Sequence, residues 1–115
     1  MRIAVTSQNF KTITGHAGKT RRFLVYETDG ASAPREVQRL DLPMGMALHD
    51  YHGDDHPLYD LGLNALVTQG AGQGFRARMA RYGIEVHATS ESDPLTAVQA
   101  VASGLPLPPA EEHHH

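Results

Sequence analysis

The sequence predicts a mixed α/β fold in which an antiparallel three-stranded meander is followed by β-α-β units. Three observations point there. Short apolar, β-branched runs recur at 2–7, 23–28, 35–42, 64–69 and 84–89. From residue 44 onward, segments with apolar residues at helical spacing alternate with the remaining runs. The chain has 115 residues, 40% of them apolar, enough for one core of ordinary size.

The elements follow in order. "RIAVTS" (2–7) reads as a buried strand, and a polar stretch to residue 22, with Gly15 and Gly18 around His16, is longer than a hairpin connection needs. "FLVYET" (23–28) is the second strand and "DGASAP" (29–34) a turn. "REVQRLDL" (35–42) is an alternating strand with Val37 and Leu40 as its main apolar members. Met44, Ala47, Leu48 and Tyr51 are spaced as on a helix over 44–51, although Gly45 weakens it. "NALVTQ" (64–69) is a fourth strand. "FRARMARYG" (75–83) is a helix with Phe75, Met79 and Tyr82 on one face, Arg76, Arg78 and Arg81 toward solvent, and Gly83 at its end. "IEVHAT" (84–89) is the fifth strand. A last helix starts at Ser92 or Asp93, carries Pro94 in its first turn, and turns Leu95, Val98 and Val101 or Ala102 inward. Residues 1–104 are expected to form a single domain, with 105–115 a Pro-rich tail. His113, His114 and His115 resemble a purification tag and carry no functional argument.

Composition excludes several classes. The net charge of −3 argues against nucleic-acid binding through phosphates. No apolar run approaches the ~20 residues of a membrane span, and the N-terminus lacks an apolar signal core, so a cytoplasmic protein without membrane partners is expected. There is no cysteine, hence no disulfide, thiol nucleophile or thiolate-held cluster. "G-x-S-x-G" is absent, and the central strands lack the carboxylates of a two-metal nuclease; no enzyme is expected. Charge is distributed unevenly. Residues 1–40 carry Arg2, Lys11, Lys19, Arg21, Arg22, Arg35 and Arg39 against three acids, whereas 41–60 carry five aspartates and no base. An anion is steered to the first region and a cation to the second.

Three segments carry candidate chemistry. "TQGAGQGF" joins a strand to a helix, where free N–H groups and the helix dipole favour an anion, but it lacks the third glycine of a dinucleotide fingerprint and the lysine of a P-loop. It is either a tight turn or an anion contact. "ALHDYHGDDHP" (47–57) holds His49, His52 and His56 with Asp50, Asp54 and Asp55. His49 and His52 have helical spacing, yet the spacing matches no strong zinc signature, so a helix end and acidic turn is the first reading and an auxiliary metal role the second. His16, flanked by glycines and near Lys19, Arg21 and Arg22, suits an imidazole gripping one metal atom of an anionic ligand. His87, within a strand, reads as structural.

Taken together, "RIAVTS", "GHAGKTRRFLVYE", "HDYHGDDHPLYDLGLNALVTQGAGQGFRARMARYGIEV" and "TSESDPLTAVQAVASG" resemble the dinitrogenase iron-molybdenum cofactor biosynthesis family, which includes the NifX and NafY carriers and the C-terminal domain of NifB. The likeness spans roughly residues 1–104. It implies a ribonuclease H-like mixed sheet without nuclease chemistry. It also implies a non-enzymatic carrier of iron-molybdenum cofactor or an iron-sulfur precursor, with cofactor-assembly proteins as partners. His16 falls where the family often has a histidine-glycine motif, with Ala17 in place of the usual intervening aromatic. By this resemblance His16 is the first-choice metal ligand and His49 and His52 the second. Lys19, Arg21, Arg22 and the loop N–H groups at Gly70, Gly72 and Gly74 would supply an anion-favouring surround. The alternative is an interaction module of the same fold that binds no metal and uses the acidic segment 50–60 as partner surface.

Overall fold

The computed structural model describes residues 1–29 and 32–111. Part of the expected 29–34 turn and the terminal histidines lie outside the described residues. Five strands, β1 (Arg2–Thr6), β2 (Arg22–Glu27), β3 (Arg35–Asp41), β4 (Ala65–Thr68) and β5 (Glu85–Ala88), form one sheet in the order β3-β2-β1-β4-β5. β1 pairs antiparallel with β2, and β2 with β3, whereas β1, β4 and β5 run parallel. Among the described residues two α-helices accompany the sheet, α1 (Gln73–Ala80) between the last two strands and α2 (Pro94–Ser103) after them.

Strand periodicity sends alternate residues of β1 to opposite faces. Ala4 joins Phe23, Val25 and Leu66 against Met79 of α1, while Ile3 and Val5 join Leu24 and Val67 against Ala97 and Val98 of α2. The two clusters explain why β1, β2 and β4 are almost continuously apolar: both of their faces are covered. Each fully buried Leu, Ile or Phe contributes roughly 1.5–3 kcal/mol through area removed from water.

Several expectations are corrected. No helix forms over 44–51, because Gly45 sits at φ +88° and turns the chain out of helical geometry. Two separate turns close there instead, Met46 N–H donating to Pro43 O and Asp50 and Tyr51 N–H to Ala47 O; Ala47 and Leu48 are buried, but Met44 is 86% exposed. A 3-10 turn at Pro57–Leu61 follows instead. Val37 is exposed, since a bulge pairs Val25 with Gln38 and Tyr26 with Glu36 and leaves Val37 unopposed. α2 begins as expected, with Asp93 accepting from Thr96 N–H at 2.9 Å and Pro94 next, but it buries Ala97 and Val98 and exposes Leu95. Beyond α2 the chain folds back: Leu107 packs on the α2-side cluster, Thr89 Oγ1 donates to Pro108 O at 2.6 Å, and Pro109 bridges Thr89.

His56 organises the irregular segment before β4. Its side chain is fully buried. Nδ1 accepts from Leu58 N–H at 3.1 Å, so the proton resides on Nε2, which donates to Met46 O at 2.7 Å. The ring thereby joins residue 46 to residue 58 as a neutral imidazole, and burial pushes it below its ordinary range despite the pull of the Met46 carbonyl. The sign of the linkage follows: the unfolded chain takes up this proton below about pH 6.5, whereas the folded one resists it. Stability is therefore expected to be retained above that pH and to fall as pH drops through the His56 titration. Denaturant midpoints from pH 8 to pH 5 check this, and His56→Gln should flatten the acid slope while lowering stability throughout.

Candidate functional site

At the carboxyl ends of β1 and β4 the chain leaves the sheet in two loops that lie side by side. Gln69 N–H donates to Thr14 O at 3.1 Å, and Ala17 N–H to Gly70 O at 3.0 Å. Between these bonds His16 adopts the left-handed conformation, φ 58° and ψ 58°. That backbone is disfavoured for a residue with a Cβ. It is held by Lys19 N–H, 2.8 Å from His16 O, by Thr20 Oγ1, 3.2 Å from the same oxygen, and by burial of Ala17. The result leaves the His16 side chain exposed. A third segment joins through His49 N–H, which donates to Gly18 O at 2.6 Å.

These three segments and the start of α1 enclose a groove of two lobes. The first, about 400 Å³, is lined by His16, Lys19, His49, Gly70, Gly72 and Phe75, among others. The second, about 280 Å³, is lined by His49, His52, Gly74, Phe75 and Arg78, together with Gly18 and Leu48. His49, Gly18 and Phe75 belong to both. Among the described residues no carboxylate lines either lobe. Asp54 accepts from Tyr82 Oη at 2.7 Å and Asp55 from Tyr51 Oη, which engages these acids with phenols and pushes both phenols above their ordinary range.

Most sequence-predicted residues converge here: His16, His49, His52, Lys19, Gly70, Gly72 and Gly74 all line the groove. Two do not. Arg22 is bound to Asp41 at 3.3 Å, donates to Gln8 O at 3.0 Å, and lies 5.5 Å from the Phe10 ring centroid; Arg21, half-buried, lines neither lobe. Gly70 N–H is occupied by Thr68 Oγ1 at 3.3 Å. His56 leaves the histidine cluster for the core, and His87, half-buried, sits 3.5 Å from Glu85 in a separate depression. No three His, Asp or Glu side chains among the described residues are placed to hold a metal ion.

Arg78 corrects the expected solvent face of α1. Its guanidinium donates from Nη1 to Leu48 O and from Nη2 to Tyr51 O, each at 2.5 Å. The signal was present in the sequence, because Phe75, Arg78, Met79 and Tyr82 fall at i, i+3, i+4 and i+7, one helical stripe.

The family model described as "Dinitrogenase iron-molybdenum cofactor" matches residues 1–104. The chain belongs to the dinitrogenase iron-molybdenum cofactor family. No curated protein sequence matches it. Among solved structures it is similar to the crystal structure of PH0822, with TM-score 0.71 and 20% identity over 93% of this chain and 94% of that one. It is also similar to an NMR structure from Thermotoga, TM1290, described as a candidate NifB protein of the DUF35 family, with TM-score 0.65 and 16% identity over 98% of this chain and 97% of that one. These likenesses show the shared fold. Family membership associates the chain with nitrogenase cofactor assembly. No helix among the described residues is long and apolar enough to cross a membrane.

The left-handed turn yields a prediction. His16→Gly removes the imidazole and the backbone strain together, whereas His16→Ala removes only the imidazole. His16→Gly should be the more stable of the two by about 1 kcal/mol, read from denaturant midpoints.

Proposed function

We propose that this protein is a non-enzymatic carrier of iron-molybdenum cofactor or an iron-sulfur precursor, held in the two-lobed groove. The carrying observation is the groove's donor set: imidazoles of His16, His49 and His52 with the Lys19 cation and, among the described residues, neither thiolate nor carboxylate. Imidazole suits iron, and a preassembled cluster brings its own sulfides and negative charge, so a few neutral ligands in a cationic surround suffice. The same set is poor for a bare divalent cation, which needs several protein ligands and gains from carboxylates. Without thiolates the hold stays labile, as transfer requires.

The glycine loop supports this reading. None of Gly70, Gly72 and Gly74 has a positive φ, and a methyl group at Gly72 or Gly74 would meet nothing within 4 Å. The backbone does not require glycine there. A bare wall instead lets a ligand approach the first N–H groups of α1. Under this reading His16 is the principal ligand, His49 and His52 contribute from the facing segment, and Arg22, neutralised by Asp41, contributes only general charge, as does Arg21. Residues 1–104 are the carrier unit, working in the cytoplasm and exchanging its cluster with assembly proteins. The scaffold is read as ribonuclease H-like on its strand order, three antiparallel strands followed by two parallel ones. The competing reading is an interaction module that uses exposed Asp50, Asp54, Asp55 and Asp60 and binds no metal.

Anaerobic incubation of the protein, freed of its terminal histidines, with isolated iron-sulfur precursor tests this by the iron co-eluting on gel filtration. Stoichiometric iron is expected on the wild type, reduced at least tenfold in both His16→Ala and His16→Gly; iron on neither wild type nor variants favours the interaction module. Gly74→Ala separates fold from site in the same assay. It should raise stability by about 0.5–1 kcal/mol, as alanine does in a helix, while lowering iron retention.

A further inference from the structure

We propose that Arg78 is a positioning residue that sets the geometry of His49 and His52, and so of the second wall of the groove. The inference rests on the carrier reading for its functional consequence, and on geometry alone for its structural part.

The segment carrying both histidines is anchored by the buried side chains of Ala47 and Leu48, but no regular element fixes its backbone. Residues 44–52 contain neither helix nor strand, and the turn at 47–51 ends with backbone carbonyls that no continuing helix satisfies. Arg78 takes two of them. Its two terminal nitrogens reach Leu48 O and Tyr51 O, bracketing His49 and immediately preceding His52. A planar, permanently charged fork is suited to such paired acceptors at the end of a turn, where partial negative charge accumulates.

The guanidinium is itself fixed from behind. It lies 5.9 Å from the centroid of Tyr59, whose ring stacks on Tyr82 at 3.7 Å. Its helix also carries Phe75, one turn earlier, which lines both lobes. One rigid element thus presents the glycine wall at its N-terminus and holds the histidine wall one turn later. The other attachments of the histidine segment are of different kinds: the buried side chains of Ala47 and Leu48, His49 N–H on Gly18 O, the Tyr51 phenol on Asp55, and the anchor of His56 on Met46 O. None of them is a bond to Tyr51 O or Leu48 O. His16 has its own restraints at Gly70, Lys19 and Thr20, so Arg78 acts on one wall only.

The experiment compares wild type, Arg78→Lys and Arg78→Met by amide hydrogen exchange and by iron retention after incubation with isolated iron-sulfur precursor. Exchange at His49 and Tyr51 amides is expected to accelerate at least tenfold in both variants, with Ala17 unchanged. Lysine should not rescue, since one ammonium cannot reproduce the fork. A double-mutant cycle with His49→Ala/His52→Ala supplies the readout that mere destabilisation would not move. If Arg78 acts through those imidazoles, Arg78→Met lowers iron retention in the wild-type background and causes no further loss once they are gone. Unchanged exchange in both variants overturns the positioning role, as does an additive cycle. Absence of iron on the wild type instead overturns the carrier reading, and the exchange data still decide whether Arg78 holds the segment.

Discussion

Two main-chain hydrogen bonds, Ala17 N–H to Gly70 O and His49 N–H to Gly18 O, bring together segments that are separated by some thirty to fifty positions in the chain. Each contributes only about 0.5–1.5 kcal/mol net, but leaving such a buried group unpaired costs more, so the loops cannot separate cheaply. Their meeting depends on parallel pairing of β1 with β4, which puts the carboxyl ends of both strands on the same edge of the sheet. The groove opens there, where the loops after parallel strands generally gather ligands. The left-handed backbone of His16 is a consequence of this meeting. The surrounding bonds over-determine an unfavourable conformation, which is how a strained residue persists at a site.

Electrostatics divides the molecule in a way that net charge conceals. The acidic stretch after residue 49 borders the groove yet does not line it, because tyrosines on its own loop and on the turn after α1 draw Asp55 and Asp54 aside. The lobes retain imidazoles, one lysine and one arginine. The three histidines of "HDYHGDDH" consequently divide into two roles. His49 and His52 face the groove, while His56 is a buried neutral crosspiece whose two ring nitrogens join residues 46 and 58. The burial that makes His56 useful to the fold also removes it from any ligand.

The match over residues 1–104 concerns the chain as a whole, whereas the donor set concerns individual side chains. The absence of cysteine would be disabling for a resident iron-sulfur protein. It is compatible with transient custody of a cluster assembled elsewhere, because imidazole releases iron more readily than thiolate does.

The sequence by itself determined the strands, the cap and start of the last helix, and the residue types available for chemistry. These depend on alternation, β-branching and capping, all local properties. From the residues alone His16, His49, His52, Lys19 and the glycine loop were separate candidates, and the family resemblance was what grouped them into one expected site. Only the tertiary structure decided that they share one groove, that Arg22 is spoken for by Asp41, that His56 is core, and that Arg78 turns inward. The pattern over 44–51 misled for a physical reason: apolar spacing of a helical kind was overridden by a left-handed Gly45, by the nearby anchor of His56, and by anchors at Gly18 and Arg78 some thirty positions away. A hydrogen bond across thirty residues leaves no periodicity in the chain, so its partners become legible only once the sheet has set the loops beside one another.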